Sequence, residues 1–155
     1  MGLEERRRAL SLRAEDADDL AVLSACLQDA LVLVGDIAYV GEDSSFVLVA
    51  NRFRWERGER AAHGEAGNER ILSGVLFGGV SSVAYRGFRR GDNERLLVLL
   101  AIRAEQSPEG AAILLEFAGG AAVRLQAADI DCRVRDLGEP WPTPWRPRHE
   151  TDEAG

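Results

Sequence analysis

Between residues 14 and 31 the chain reads AEDADDLAVLSACLQDAL, and Leu20, Leu23, Leu27 and Ala30 recur at spacings of three and four with Cys26 beside them. That spacing gathers the apolar side chains on one face of a helix. Acidic residues crowd the first turn, where unpaired backbone N–H groups favour negative charge, and Asp16 is a candidate N-cap. Alone in water such a helix is marginal, so it is expected to cover one face of a sheet.

Past residue 34 the period changes to two. GDIAYV and SSFVLVANRFRW read as strands joined by the compact polar GEDS. In the second, Val47, Val49, Phe53 and Trp55 point one way, while Phe46, Leu48, Ala50, Arg52 and Arg54 point the other. RILSGVLF and VSSVAYRGF flank Gly78-Gly79, and AAILLEFA and AAVRLQA flank Gly119-Gly120, so both pairs predict hairpins. Glu116 is expected to pair across the second hairpin with Arg124. LLVLLAIRAE, almost continuously apolar, predicts a central strand covered on both faces. In residues 129–137, Ile130, Val134 and Leu137 have helical spacing while Ile130, Cys132 and Val134 alternate; the reading taken is a short C-terminal helix.

These elements make an α+β fold, predominantly antiparallel β-sheet, with an N-terminal amphipathic helix and that C-terminal helix. The pattern leaves a sheet open under the helix and one curled into a barrel as alternatives. A single domain over 1–155 is expected, with an ordered core over about 10–148 and a flexible loop over 56–69, where apolar periodicity lapses.

Composition removes several function classes. The formal charge of -7 and the acidic residues around Arg6, Arg7 and Arg8 argue against nucleic acid as a partner. The longest apolar run, Leu96 to Ile102, falls far short of the ~20 residues of a membrane-spanning helix, and no secretory leader is legible. Cys26 and Cys132 lie far apart, which reads as buried thiols of a cytoplasmic protein. The chain contains no lysine, which removes Schiff-base and P-loop chemistry. His63 and His149 lack partners at triad or metal-ligand spacing. No catalytic residue, metal ligand or cofactor is therefore assigned, and whether the chain is an enzyme stays open.

Two stretches are left as candidate interaction or pocket residues. NRFRW contributes Asn51, Arg52, Phe53, Arg54 and Trp55, with Asn51, Phe53 and Trp55 sharing one strand face. EPWPTPWRP near the C-terminus contributes Trp141, Trp145 and Arg146. Its prolines remove backbone donors, so it is a poor strand, yet it carries two of the three tryptophans. Segment 139–148 is therefore expected to dock on its own core. The function this supports is a non-enzymatic accessory or protein-interaction domain, with a protein partner or a second copy of the chain as the partner. The alternative is a small-molecule-binding domain or metabolic enzyme, its ligand unknown, with a pocket near the NRFRW strand and the tryptophans.

LRAEDADDLAVLSACLQDAL, VLVANRFRWE and FAGGAAVRLQAADIDCRVRDLGEPWPTPWRPRH together resemble an alphaproteobacterial family of small proteins, domain-of-unknown-function family 2948. The resemblance implies a stand-alone cytoplasmic protein, often encoded near a histidine-biosynthesis dehydrogenase. It brings no catalytic set.

Overall fold

A computed structural model describes residues 10–53 and 69–137 together with the backbone of 141–142. The chain opens with β1 (Ser11–Ala14) and continues into α1 (Ala17–Cys26), the one α-helix among the described residues. Asp16 caps it, its side chain accepting from the Asp19 amide at 2.8 Å. The helix stops earlier than its apolar pattern, because Asp29 adopts a positive φ of 67° and turns the chain. Its amide donates to the Leu99 carbonyl, and Leu99 donates back to Ala30. Leu20, Leu23, Leu27 and Ala30 are all buried nonetheless, the last two from the turn. Burying a leucine contributes roughly 1.5–3 kcal/mol, which fastens α1 to the sheet. Ser24 Oγ adds a polar tether by accepting from the Ile102 amide at 2.9 Å.

Strands follow in chain order: β2 (Leu31–Leu33), β3 (Ile37–Val40), β4 (Ser45–Phe53), β5 (Glu69–Phe77), β6 (Val80–Arg86), β7 (Leu96–Ser107), β8 (Gly110–Phe117), β9 (Ala122–Ala127), β10 (Cys132–Asp136) and β11 (Trp141–Pro142). The lateral order is β1-β10-β5-β4-β2-β7-β8-β9-β6, with β3 beside β4 and β11 beside β5, and every pairing is antiparallel. β1 and β6 end this path without pairing to each other, so the sheet is open and the barrel alternative is excluded. One core cluster nevertheless draws on both halves, joining Phe46, Leu48, Val75 and Phe77 to Ile113, Leu115, Val123 and Leu125.

Three expectations are corrected. Residues 132–136 form β10, not a helix: β1 and β5 hydrogen-bond its two edges, Cys132, Val134 and Asp136 point inward, and Arg133 and Arg135 point out. Leu137, needed for the helical stripe, is 55% exposed. β5 and β6 are not a hairpin either. Gly78 donates to the Asp131 carbonyl and Ala128 donates to Gly79, so the connection is stitched to the β9-β10 link. β5 then pairs with β4 and β10, and β6 with β9. Finally, β7 lies between β2 and β8 as a central strand should, but Leu96 and Leu100 are 36% and 45% exposed, so its second face is not fully covered.

Candidate functional site

Of the residues singled out in NRFRW, Asn51 and Arg52 are buried and Phe53 is half-buried, while Arg54 and Trp55 lie outside the described residues. Arg52 continues the inward row of Phe46, Leu48 and Ala50, which places a guanidinium on the core face. A buried charge is tolerated only when paired and hydrogen-bonded. Arg52 Nη2 donates to both Asp136 oxygens, at 3.0 and 2.9 Å, Nε donates to Ser73 Oγ at 2.9 Å, and Nη1 donates to the Phe53 carbonyl at 3.0 Å. Ser73 Oγ passes a hydrogen bond to Asp136 at 2.6 Å, and the Leu10 amide donates to the same carboxylate at 2.9 Å. The cluster ties β4, β5 and β10 to the chain leading into β1.

Asn51 and Phe53 occupy the other face and are closed by Arg70. Its Nη1 donates to the Asn51 carbonyl at 2.7 Å, and its guanidinium lies 3.8 Å from the Phe53 ring centroid. In register Phe53, Arg70 and Trp141 form one row across β4, β5 and β11. Apart from the backbone of Trp141 and Pro142, segment 139–148, with Trp145 and Arg146, lies outside the described residues, and so does the segment expected as a loop over 56–69, except for Glu69, which begins β5.

A different surface is open. On the outer face of β6, β9, β8 and β7 the register sets three rows: Ser82–Gln126–Ala112–Glu105, Ala84–Arg124–Leu114–Arg103, and Arg86–Ala122–Glu116–Ala101. Arg86, Arg103, Glu105 and Arg124 from these rows border a concavity of about 700 Å³, in which Ala84, Ala112 and Ala122 keep the floor low and Leu114 is half-buried at its centre. The expected Glu116–Arg124 pair does not form: the register makes Arg103 and Arg124 diagonal neighbours of Glu116 on its two sides, and the carboxylate goes to Arg103. Glu116 instead accepts from Arg103 Nη2 at 2.6 Å. Arg124 is left without an ion pair or side-chain hydrogen bond among the described residues, and so is Arg86. These two arginines are diagonal neighbours on adjacent strands, a spacing of about 7 Å.

The end of this groove is fixed by the strand's exit. Gly87 has φ +84°, and a Cβ there would fall 2.7 Å from the Ala121 Cα, so the residue after Arg86 has to be glycine. Beyond it the Phe88 ring meets Tyr85 edge-on at 5.7 Å and Arg90 lies 4.8 Å from the Tyr85 centroid. Burial pushes the Tyr85 phenol up, and the Arg90 charge partly opposes it. Gly87, Phe88, Arg89, Gly91, Asp92 and Arg95 enclose a second open hollow beside the first.

A model of a family described as a protein of unknown function, DUF2948, matches residues 10–149. The chain belongs to that family. No curated protein matches it. The described residues of this DUF2948 member hold no group of three or more His, Cys, Asp or Glu placed to bind a metal ion, and no helix among them is long and apolar enough to cross a membrane.

Chemically, the DUF2948 groove offers two guanidinium groups without a carboxylate between them, over methyl groups that leave room for a ligand atom. Guanidinium forks match carboxylate and phosphate oxygens two at a time. Neither Arg86 nor Arg124 was singled out by motif reasoning as a site. Arg124 looked like half of an ion pair, and only the Arg103–Glu116 contact shows that its presumed acid is taken.

Proposed function

We propose that this DUF2948 member is a non-enzymatic interaction module whose working surface is the β6-β9-β8-β7 groove, and that it engages a partner through carboxylates set against Arg86 and Arg124. The observation that carries this reading is the pair of guanidinium groups left without acidic partners among the described residues on one concave face, in a chain whose net charge is -7. An acidic protein gains nothing in solubility from two uncompensated arginines brought together, whereas a partner's carboxylates would bind both. A cytoplasmic setting and docking of segment 139–148 on its own sheet belong to the same reading. The first is supported by two cysteines outside any disulfide, the second by backbone pairing of Trp141 and Pro142 with β5.

The test is a titration of the intact chain with capped hexaglutamate, followed through the side-chain Nε–H resonances of its arginines. Arg86 and Arg124 are expected to shift first, the response to weaken as salt is raised, and Arg86→Glu with Arg124→Glu to abolish it. If hexaglutamate moves neither resonance, the groove is not an anion-recognising surface and the reading fails.

A further inference from the structure

Resting on that reading, we infer that the partner enters as an extended strand added to the open edge of β6, with acidic and apolar side chains alternating along it. β6 pairs with β9 on one side and with no strand on the other among the described residues. Its start is covered: the Val80 amide donates to the Ser44 carbonyl at 2.8 Å and the Tyr39 hydroxyl donates to the Val80 carbonyl at 2.8 Å. A register shift also separates Val80 from Ser82, and bulges of this kind commonly guard sheet edges. From Ser82 to Arg86 the pairing with β9 is regular, and no proline interrupts it. That stretch presents backbone donors and acceptors at an edge, which is the template used in recognition by strand addition.

The side chains specify what would be added. A residue opposite Ala84 in the new strand would lie diagonal to Arg86, and only the Ala84 methyl would separate it from Arg124 in the same row. A glutamate there reaches both guanidinium groups. Residues on either side of it in sequence point to the other face, toward Val83 and Tyr85, which pack only partly buried against the margin of the core. Apolar residues suit those positions, and the alternation follows from the pleat itself. A second copy of this chain fits poorly. Pairing β6 with its own symmetry mate about Ala84 would bring two Arg86–Arg124 sets onto one face, four like charges with no acid added.

The experiment uses the full chain and a capped peptide, Gly-Glu-Val-Glu-Val-Glu-Gly, in three forms: unmodified, N-methylated on the two valine amides, and N-methylated on the amides of the second and third glutamates. All three carry the same charge. Because alternate amides of a strand face its neighbour, only one methylated form should lose affinity, by about tenfold or more for lost or sterically blocked hydrogen bonds. The unmodified peptide should slow hydrogen exchange at amides between residues 82 and 86, and Arg86→Glu with Arg124→Glu should remove its binding. Equal binding by all three forms without protection at 82–86 would overturn strand addition while leaving hexaglutamate recognition by the groove intact. Concentration-dependent protection of the same amides in the chain alone would overturn it in favour of a second copy. Inorganic phosphate displacing the unmodified peptide at equal concentration would overturn it in favour of a small anion.

Discussion

Arg52 and Arg124 both lie on strands with alternating burial, and their situations are opposite. Arg52 is fully buried, and its guanidinium is held by Asp136, Ser73 and the Phe53 carbonyl. Arg124 is exposed at the centre of a hollow, without an ion pair among the described residues. The difference teaches that an arginine's role is read from where its donors go. In the interior the desolvation of a charge must be offset locally, so the Arg52 cluster joins four chain segments and has nothing left to offer. On the outer face water satisfies the guanidinium at little cost, and a partner can replace that water.

The comparison is broken most forcefully from the buried side. Asp136→Ala leaves Arg52 charged in the interior and the Leu10 amide without its acceptor, and should cost about 3–5 kcal/mol in denaturant titration. A loss below about 1 kcal/mol would mean that water reaches the cluster and that the two arginines do not differ as described. Leu23→Ala supplies the uncharged benchmark. Leu23 is 2% exposed on α1, and its truncation should cost about 2–5 kcal/mol, which tests whether the helix is fastened to the sheet by packing.

Dryness of the core beside the cluster can be measured through Cys132, two residues from Val134 and buried on the same face of β10 as Asp136. Burial, with a smaller contribution from the Asp131 charge, pushes its thiol up to about 12 from an ordinary 9.0. Below pH 9 the thiol is neutral in both folded and unfolded chains, and its contribution is fully present. Between pH 9 and 12 only the unfolded thiol ionises, so stability should fall by roughly 1.4 kcal/mol per pH unit. Cys132→Ala should lack that part of the slope, and an identical pH profile for the two chains would show that the thiol is hydrated.

The smallest effect is expected where the partner is expected. Arg86→Ala combined with Arg124→Ala should change stability by no more than about 0.5 kcal/mol, because no folded-state pair is lost. The same substitutions should abolish the hexaglutamate response. A large loss of stability with that response retained would reverse the contrast with Arg52.

Much of the fold was legible along the chain because burial on one face imposes a period that survives without neighbours. The acidic first turn and the Leu20, Leu23 spacing predict α1 and its Asp16 cap, alternation predicts β3 and β4, the segments flanking the two glycine pairs predict β5, β6, β8 and β9, and the nearly continuous apolar run predicts β7. Residues 129–137 were ambiguous for a physical reason. Ile130, Val134 and Leu137 satisfy one period and Ile130, Cys132 and Val134 the other, and the choice falls to β1 and β5, which fill both edges of β10. Gly78-Gly79 carries the local chemistry of a hairpin, yet the chain passes from β5 into a strand at the far end of the sheet. A turn signal reports that the backbone bends, not which strands pair beyond it.

The candidate site divides in the same way. NRFRW stands out along the chain as an aromatic and basic strand, but only side chains from β5 and β10, remote in sequence, show that Arg52 meets Ser73 and Asp136 and that Arg70 lies over Phe53. By itself the sequence determined the helix, most of the strands and the acidic balance, since each follows from local periodicity and composition. Tertiary structure decided the lateral order of the strands, the open sheet and the partners of the charges, because these depend on register between segments far apart in the chain. A register that sets Glu116 opposite Ala122 and lets Arg103 take its carboxylate leaves Arg124 beside Arg86, a pairing of like charges that no spacing along the chain encodes.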